Sequence, residues 1–413
     1  MTLSLVLVDD WELRGDGSGD MRRIQFDAMR RLNRIYENHG LRGSYNAEIM
    51  QQLHHLRFGE RHAELKELAQ EWEESVLETY TRGHDVQLHV HSQWSEANYE
   101  DGRWKLKGDW AIINHPRAEM VRMISGAREY LENLIRRVDP EYRCISFRAG
   151  AWAIAPNEHI LPVLAEQGIV FDMSICGGIK YDNTVVKLDY TNCEETFLPF
   201  YPHAADARRV GNAETGIMCV PTFSFRPSRA TMLKGDVKHI HKRLHSRLSK
   251  PKSTSAEQAQ PRPDGTSYTV WQDDTGKVAK LWELSKDRLL PEIRVSDLSH
   301  LNFDLLKNMV SAMRGIARGR NLASVPVILE NHSKNISNFD DIQRFAEYVS
   351  EQADLEVITL TELAQRLEAG FYPVVENQAV ASGVAPAFRR ASAGRMLQSW
   401  VAVGGLAGLA SLD

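Results

Sequence analysis

Cysteines are few in this chain and none are paired. Cys144, Cys176, Cys193 and Cys219 are the only four, scattered with no Cys-x-x-Cys spacing. Neither a disulfide framework nor a thiolate zinc site is signalled, and four buried thiols in a reducing cytoplasm is the expectation. An excess of one charge is also missing: a formal net charge of −5 over 413 residues gives no reason to expect nucleic-acid binding. Long hydrophobic runs are absent. The opening "MTLSLVLVDDWE" has no basic start, and its apolar run is too short for a secretory segment or a membrane span. The apolar patch "MLQSWVAVGGLAGLA" near the other end is interrupted by glycine. Nor is disorder indicated, because 43% hydrophobic and 25% charged residues are ordinary globular values. The length suits one large α/β domain or two domains.

Short apolar runs alternate with helical periodicity. "LSLVLV" (3–8) reads as a buried strand with Asp9 and Asp10 at its C-terminal end. Ile24, Ala28, Leu32, Ile35 and Tyr36 then mark one face of a helix over 20–39, with Gly40 as its stop. Strands are expected near 44–47, 86–90, 143–147, 168–172, 324–330 and 355–360, with helices at 60–80, 117–137, after Pro156 and at 339–353. This alternation means parallel strands with helices outside, a barrel or an open doubly wound sheet. Polar groups gather at the strand ends: Asp9 and Asp10, His89 and His91, Arg148, Asp172 and His332. Parallel α/β folds build their sites at those ends.

The sequence divides into a barrel over 1–224 and 301–370, an insertion over 225–300 and a tail over 371–413. In the insertion, a basic amphipathic helix is expected over 230–252, with Lys238, Lys242 and Arg247 on its charged side. A Ser/Pro/Gln-rich flexible segment (249–265) and a hairpin (269–283) follow. The basic face suits a structural surface helix, or contact with a lipid-linked substrate or an anionic membrane surface.

In "GHDVQLHVHSQW", His89 and His91 lie two apart and face one way on an extended strand, so both can reach one ion. His84 starts that strand and is expected to be a surface or capping residue. Asp10 on the neighbouring strand can supply an oxygen ligand. Two histidines and a carboxylate suit Zn²⁺, and the ligand types also admit Fe²⁺, Co²⁺ or Ni²⁺. Adjacent carboxylates repel unless a cation neutralises one of them. One can then hold metal while the other accepts a proton. Arg148 is suited to pair with that base, and His332 can protonate a leaving group.

"VLVDDWE", "HDVQLHVHSQW", "SFRAGAWAI", "VFDMS" and "VILENHSK" occur in the order of the motifs of the polysaccharide deacetylase family, carbohydrate esterase family 4. More narrowly they resemble its branch found among surface-polysaccharide genes. The resemblance runs from residue 3 to about 368 apart from the insertion. It implies a distorted (β/α)7 barrel and metal-dependent hydrolysis of N-acetyl, sometimes O-acetyl, groups on sugars. By position it makes Asp9 the base, Asp10 and His89 metal ligands, Arg148 the residue that orients the base and His332 the acid. It makes Asp172 the carboxylate that tunes His332, and it places Trp152 near the acetyl pocket; Trp94 is a second candidate substrate contact. The family's second histidine falls four residues after the first, where this chain has Gln93, so either His91 substitutes or Gln93 ligates. The expectation is a cytoplasmic zinc-type deacetylase of an N-acetylated sugar or glycan. The alternatives are a same-fold hydrolase of another C–N bond, such as a ureide or cyclic amide, and a glycan-binding protein with a degenerate site.

Overall fold

The first strand, β1 (Thr2–Trp11), shows how the molecule is layered. Its side chains alternate between two faces, as a pleated strand requires. Leu3, Leu5, Leu7 and Trp11 enter the large core shared with the surrounding helices. Val6 and Val8 enter a second core with Phe171, Met218 and Ile328 inside the curved sheet. The computed structural model describes residues 1–183, 185–232, 292–336 and 338–377.

Six further parallel strands complete the sheet: β2 (Ser44–Glu48), β3 (Asp85–Val90), β4 (Ser146–Ala149), β5 (Phe171–Asp172), β6 (Met218–Cys219) and β7 (Ser324–Asn331). Their order is β6-β5-β4-β3-β2-β1-β7. Just past β6, Thr222 forms a parallel bridge to Ile328 of β7, and the Phe223 N–H donates to the Ile328 carbonyl at 3.0 Å. This single bridge brings the two edges of the sheet together, giving a distorted seven-stranded α/β barrel. A short strand, β8 (Leu355–Val357), pairs with the first half of β1, Leu3–Leu5, while β2 takes its last half, Val8–Trp11.

Helices α1 (Asp27–Asn38), α2 (Ile49–Gly59), α3 (Ala63–Thr81), α4 (Arg117–Ile135), α5 (Ile160–Glu166), α6 (Phe303–Gly319) and α7 (Phe339–Ser350) accompany the strands. The expected stripe of α1 is buried at Ala28, Leu32, Ile35 and Tyr36, and the chain turns away at Gly40 with φ 69°. The last helix, α8 (Leu360–Glu368), differs in its place. Its Leu360, Leu363 and Leu367 join the inner core. Backbone N–H groups at its start donate to Ser44 and Asp85, where β2 and β3 begin. It therefore plugs the N-terminal end of the barrel and leaves the opposite end as the mouth. No helix among the described residues is long and apolar enough to cross a membrane.

Two boundaries differ from expectation. Ser224–Phe225 pairs antiparallel with Arg294–Val295, and Leu298 N–H donates to Glu330 O at 2.8 Å. Residues 294–298 therefore pack against the barrel beside β7, within the stretch read from the sequence as an insertion. Residues 371–377 pack against the barrel as well, with Tyr372 buried and Val375 bridged to Phe200. The basic helix beyond 232, the polar segment and the 269–283 hairpin lie outside the described residues.

Candidate active site

Along the inner face of β1 the sequence changes from Val6 and Val8 to Asp10, and Glu12 follows just past the strand end. The same face is thus apolar where the barrel is plugged and acidic where it opens. A cavity of about 620 Å³, counted out to its open mouth, lies at this end. Asp10, Glu12, His89, His91, Trp152 and His332 are in its lining.

Glu12, His89 and His91 form one buried cluster whose ligand atoms lie within 4.8 Å of one another. Glu12 Oε2 is 2.6 Å from His91 Nε2 and 3.9 Å from His89 Nε2. His89 Nδ1 donates to the Arg148 carbonyl at 2.9 Å, which fixes the tautomer and leaves Nε2 as a lone-pair nitrogen. That Nε2 is buried and has no hydrogen-bond partner. Burial, outweighing the nearby carboxylates, lowers the His89 pKa to about 4, so the ring is neutral at pH 7, as a metal ligand must be. Glu12 is also buried, but the charges of His91 and Lys334 overcome this and hold its carboxyl well below the usual range. Gln93 stands behind His91, its side-chain amide 2.8 Å from Nδ1, and so orients the ring. Gly150 makes room for the same ring: a Cβ there would meet His91 Cγ at 2.8 Å and Nδ1 at 2.9 Å. An orphaned imidazole nitrogen, a second imidazole and an ionised carboxylate converge here. This donor set fits a divalent cation.

Asp10, Glu330 and His332 form a second buried cluster. Asp10 Oδ1 accepts from Asn46 Nδ2 at 2.8 Å and lies 3.4 Å from Arg148 Nε. Burial alone would raise the Asp10 pKa, but Arg148 first, then His89 and His332, outweigh it and the carboxyl is lowered. Arg148 is fully buried and also lies 3.0 Å from Glu330 Oε2; both are charge contacts, since its N–H groups make no aligned hydrogen bond. His332 Nδ1 is 2.7 Å from Asp297 Oδ2, and its Nε2 is 3.3 Å from Glu330 and 3.8 Å from Asp10. Burial disfavours the imidazolium, but Asp297 more than compensates and the His332 pKa rises to about 9. Trp152 is fixed in the lumen by Nε1–H donation to Glu330 at 3.0 Å and by Tyr190 O–H donation to its carbonyl at 2.5 Å. Ala151 and Trp152 both have positive φ, 52° and 56°. Such strain costs on the order of 1–3 kcal/mol per residue and is held by the surroundings.

Four sequence-based assignments need correction. Asp9 faces the helix layer: its Oδ1 accepts from Asn331 Nδ2 (2.6 Å) and the Ser333 N–H (2.7 Å), and it does not line the cavity. The alternation that turns Asp10 inward turns Asp9 outward. Asp10 accordingly sits with Glu330 and His332, and Glu12 completes the histidine pair. Asp172 accepts from Ser174 N–H and Oγ–H, while the carboxylate on His332 is Asp297. Trp94 packs on Trp104 at 5.0 Å and beside His54 and His55, and the cavity's indoles are Trp110 and Trp152. His84 stays out of the site as expected, but it is buried: it accepts from the Gly43 N–H and contacts Glu37.

Glu12, Glu330 and Asp297 were missed. The first two carried a signal, since Asp10-Trp-Glu12 and Glu330-Asn-His332 have the same two-residue spacing as the His89–His91 pair. Asp297 had none, because its segment reads as part of an insertion.

No family model matches the chain, and no curated protein matches it at a significant level. Among solved structures it is similar to a protein from Mycobacterium smegmatis described as a polysaccharide deacetylase, at 12% identity over 93% of this chain and 95% of that one, TM-score 0.45. A Pseudomonas aeruginosa PAO1 protein with the same description shares 12% identity over 89% and 91%, TM-score 0.44. The Puue allantoinase shares 12% over 89% and 90%, TM-score 0.43. At such scores none of these proteins speaks for the chemistry of this one, which the side chains of the cavity have to carry.

Proposed function

We propose that this chain is a metal-dependent hydrolase that removes an N-acetyl group from a sugar, such as a precursor of a surface polysaccharide. The observation that carries the reading is the unpartnered, buried Nε2 of His89 facing Glu12 and His91 beside a separate acid–base pair. Glu12, His89 and His91 are the residues that would hold a divalent cation, with Zn²⁺ the first choice for two imidazoles and a carboxylate. Such an ion supplies Lewis-acid polarisation of the acyl oxygen and eases deprotonation of water.

The remaining chemistry belongs to the protein. Asp10, kept ionised by Arg148, accepts the proton of the attacking water. Asn46 holds Oδ1, and Oδ2 lies 3.8 Å from Nε2 of His332, which lines the same cavity. His332, kept protonated by Asp297, delivers a proton to the departing amine from Nε2. Trp110 and Trp152 offer apolar faces against which a sugar ring can lie. Gln93 packed behind His91 supports His91 as the second imidazole and weighs against a degenerate, purely glycan-binding site. The test is product analysis with a panel of N-acetylhexosamines: acetate released by metal-loaded wild type, and not by Asp10→Asn, supports the reading. Ammonia or carbamate from a ureide or cyclic amide, with no acetate from the panel, replaces it by the alternative C–N hydrolase.

A further inference from the structure

The two oxygens of Glu12 have different neighbours. Oε2 faces the histidines, whereas Oε1 is held by the ammonium of Lys334, whose side chain is only 11% exposed. Lys334 lies two residues beyond His332, on the turn Ser333–Asn335 that continues β7. Lys334 and a cation held by this cluster would share one carboxylate. Arg14, on the loop after β1, lines the same cavity and makes no ion pair among the described residues.

Charge counting shows the consequence. The charged side chains of the lining, histidines aside, balance: Asp10 and Glu12 against Arg14 and Lys334. Behind them Arg148 stands beside Glu330, whose carboxyl pKa burial pushes up to about 8 so that it is largely neutral at pH 7, and His332 stands against Asp297. A divalent cation on Glu12, His89 and His91 would therefore leave the cavity with a surplus of at least two positive charges, and it would compete with Lys334 for the Glu12 carboxylate. Unbalanced charge on side chains as buried as Glu12, Lys334 and Asp10 is costly. A neutral N-acetyl sugar does nothing to relieve it.

We propose that the cavity takes a substrate carrying an anionic group, a carboxylate or a phosphate, near the amide that is cleaved, with Arg14 and Lys334 as its anchors. The assignment rests on the metal-dependent hydrolase reading and narrows its substrate class. Guanidinium and ammonium groups suit both anions, Arg14 through its planar fork and Lys334 as a point charge.

The first measurement is calorimetric titration of inorganic phosphate into the full-length protein, zinc-loaded and chelator-treated. Phosphate should bind the loaded form at least tenfold more tightly, and Arg14→Gln and Lys334→Met should each weaken binding to the loaded form about tenfold or more, with Lys334→Arg restoring most of it. Equal phosphate affinity in wild type and both variants overturns the proposal, since any binding would then be to the metal alone. The second measurement compares kcat/KM for N-acetylglucosamine, N-acetylglucosamine 6-phosphate and N-acetylmuramic acid. A preference for the phosphate alone assigns phosphate, and one for the muramic acid alone assigns carboxylate. Equal values for all three overturn the proposal. Failure of the underlying reading looks different: a chain that holds no stoichiometric divalent metal loses that reading whatever its affinity for phosphate.

Discussion

The two clusters at the barrel mouth are made of the same residue types, carboxylates and imidazoles, and are neutralised in different ways. Glu12, His89 and His91 leave one imidazole nitrogen without any partner. Asp10, Glu330 and His332 carry their own cation, the fully buried Arg148, and a dedicated carboxylate, Asp297, on the imidazole. The first arrangement leaves a nitrogen open to a ligand, whereas the second is neutralised by the protein itself. Ligand identity therefore does not distinguish a metal site from a proton-handling site. What each group already has as a partner does.

The largest expected effect separates the clusters by exchange of a single oxygen. Asp10→Asn removes the proton acceptor and should lower kcat by about 10²–10⁴, with metal content unchanged by elemental analysis. Glu12→Gln should lose both activity and metal. If Asp10→Asn strips the metal and Glu12→Gln keeps it, the two clusters have been assigned the wrong way round.

Gly150→Ala sharpens the contrast from a distance. A methyl group at 2.8 Å from His91 Cγ must displace the ring, and loosened support of a ligand lowers metal affinity about 10–100-fold. Competition with a chelator measures this, and the acid–base cluster should retain its pH profile on metal-saturated enzyme.

The pH dependence tests the second cluster alone. The His332 pKa is about 9 in the folded chain, above its ordinary value of 6.5, because Asp297 outweighs the cost of burial. Its imidazolium is therefore present through neutral pH, and kcat should fall as pH rises through about 9. The stability contributed by the pair has the same sign: it is fully present below pH 6.5 and is lost as pH rises through 9. Asp297→Asn should move the alkaline limb of the kcat profile towards neutral. A limb that stays in place would remove His332 from the role of acid.

The smallest effect is expected at Asp9. An amide there can still accept from the Ser333 N–H, so Asp9→Asn should change kcat by no more than a few-fold and stability by about 1 kcal/mol. Loss of turnover comparable to that of Asp10→Asn would return the base to Asp9.

Much of this is legible in the amino-acid sequence. Strand–helix alternation pointed to parallel strands with helices outside, because an amphipathic period is a local property of the chain, while the choice of a barrel over an open sheet rested on the family resemblance. The two-residue spacing placed His89 and His91 on one face for the same reason. The choice between Asp9 and Asp10 was not legible, since both sit at the end of one strand and only the closed barrel defines which face is the inside. The apolar sequence Val6, Val8 pointed to that face, but Leu5 and Leu7 pointed equally well to the other. The burial of both faces erased the polarity signal that normally distinguishes them.

What the sequence determined by itself was the period of each element and the chemical types at the strand ends. The residue pairs Asp10–Glu12, His89–His91 and Glu330–His332 each share a face by local geometry alone. Which pair meets which was decided by tertiary structure. Lateral register sets Glu48 beside His89, His89 beside Arg148 and Val8 beside Glu330, and no local pattern encodes it. Asp297 reaches His332 only because its segment packs beside β7, so their pairing depends on a contact between segments rather than on any spacing along the chain.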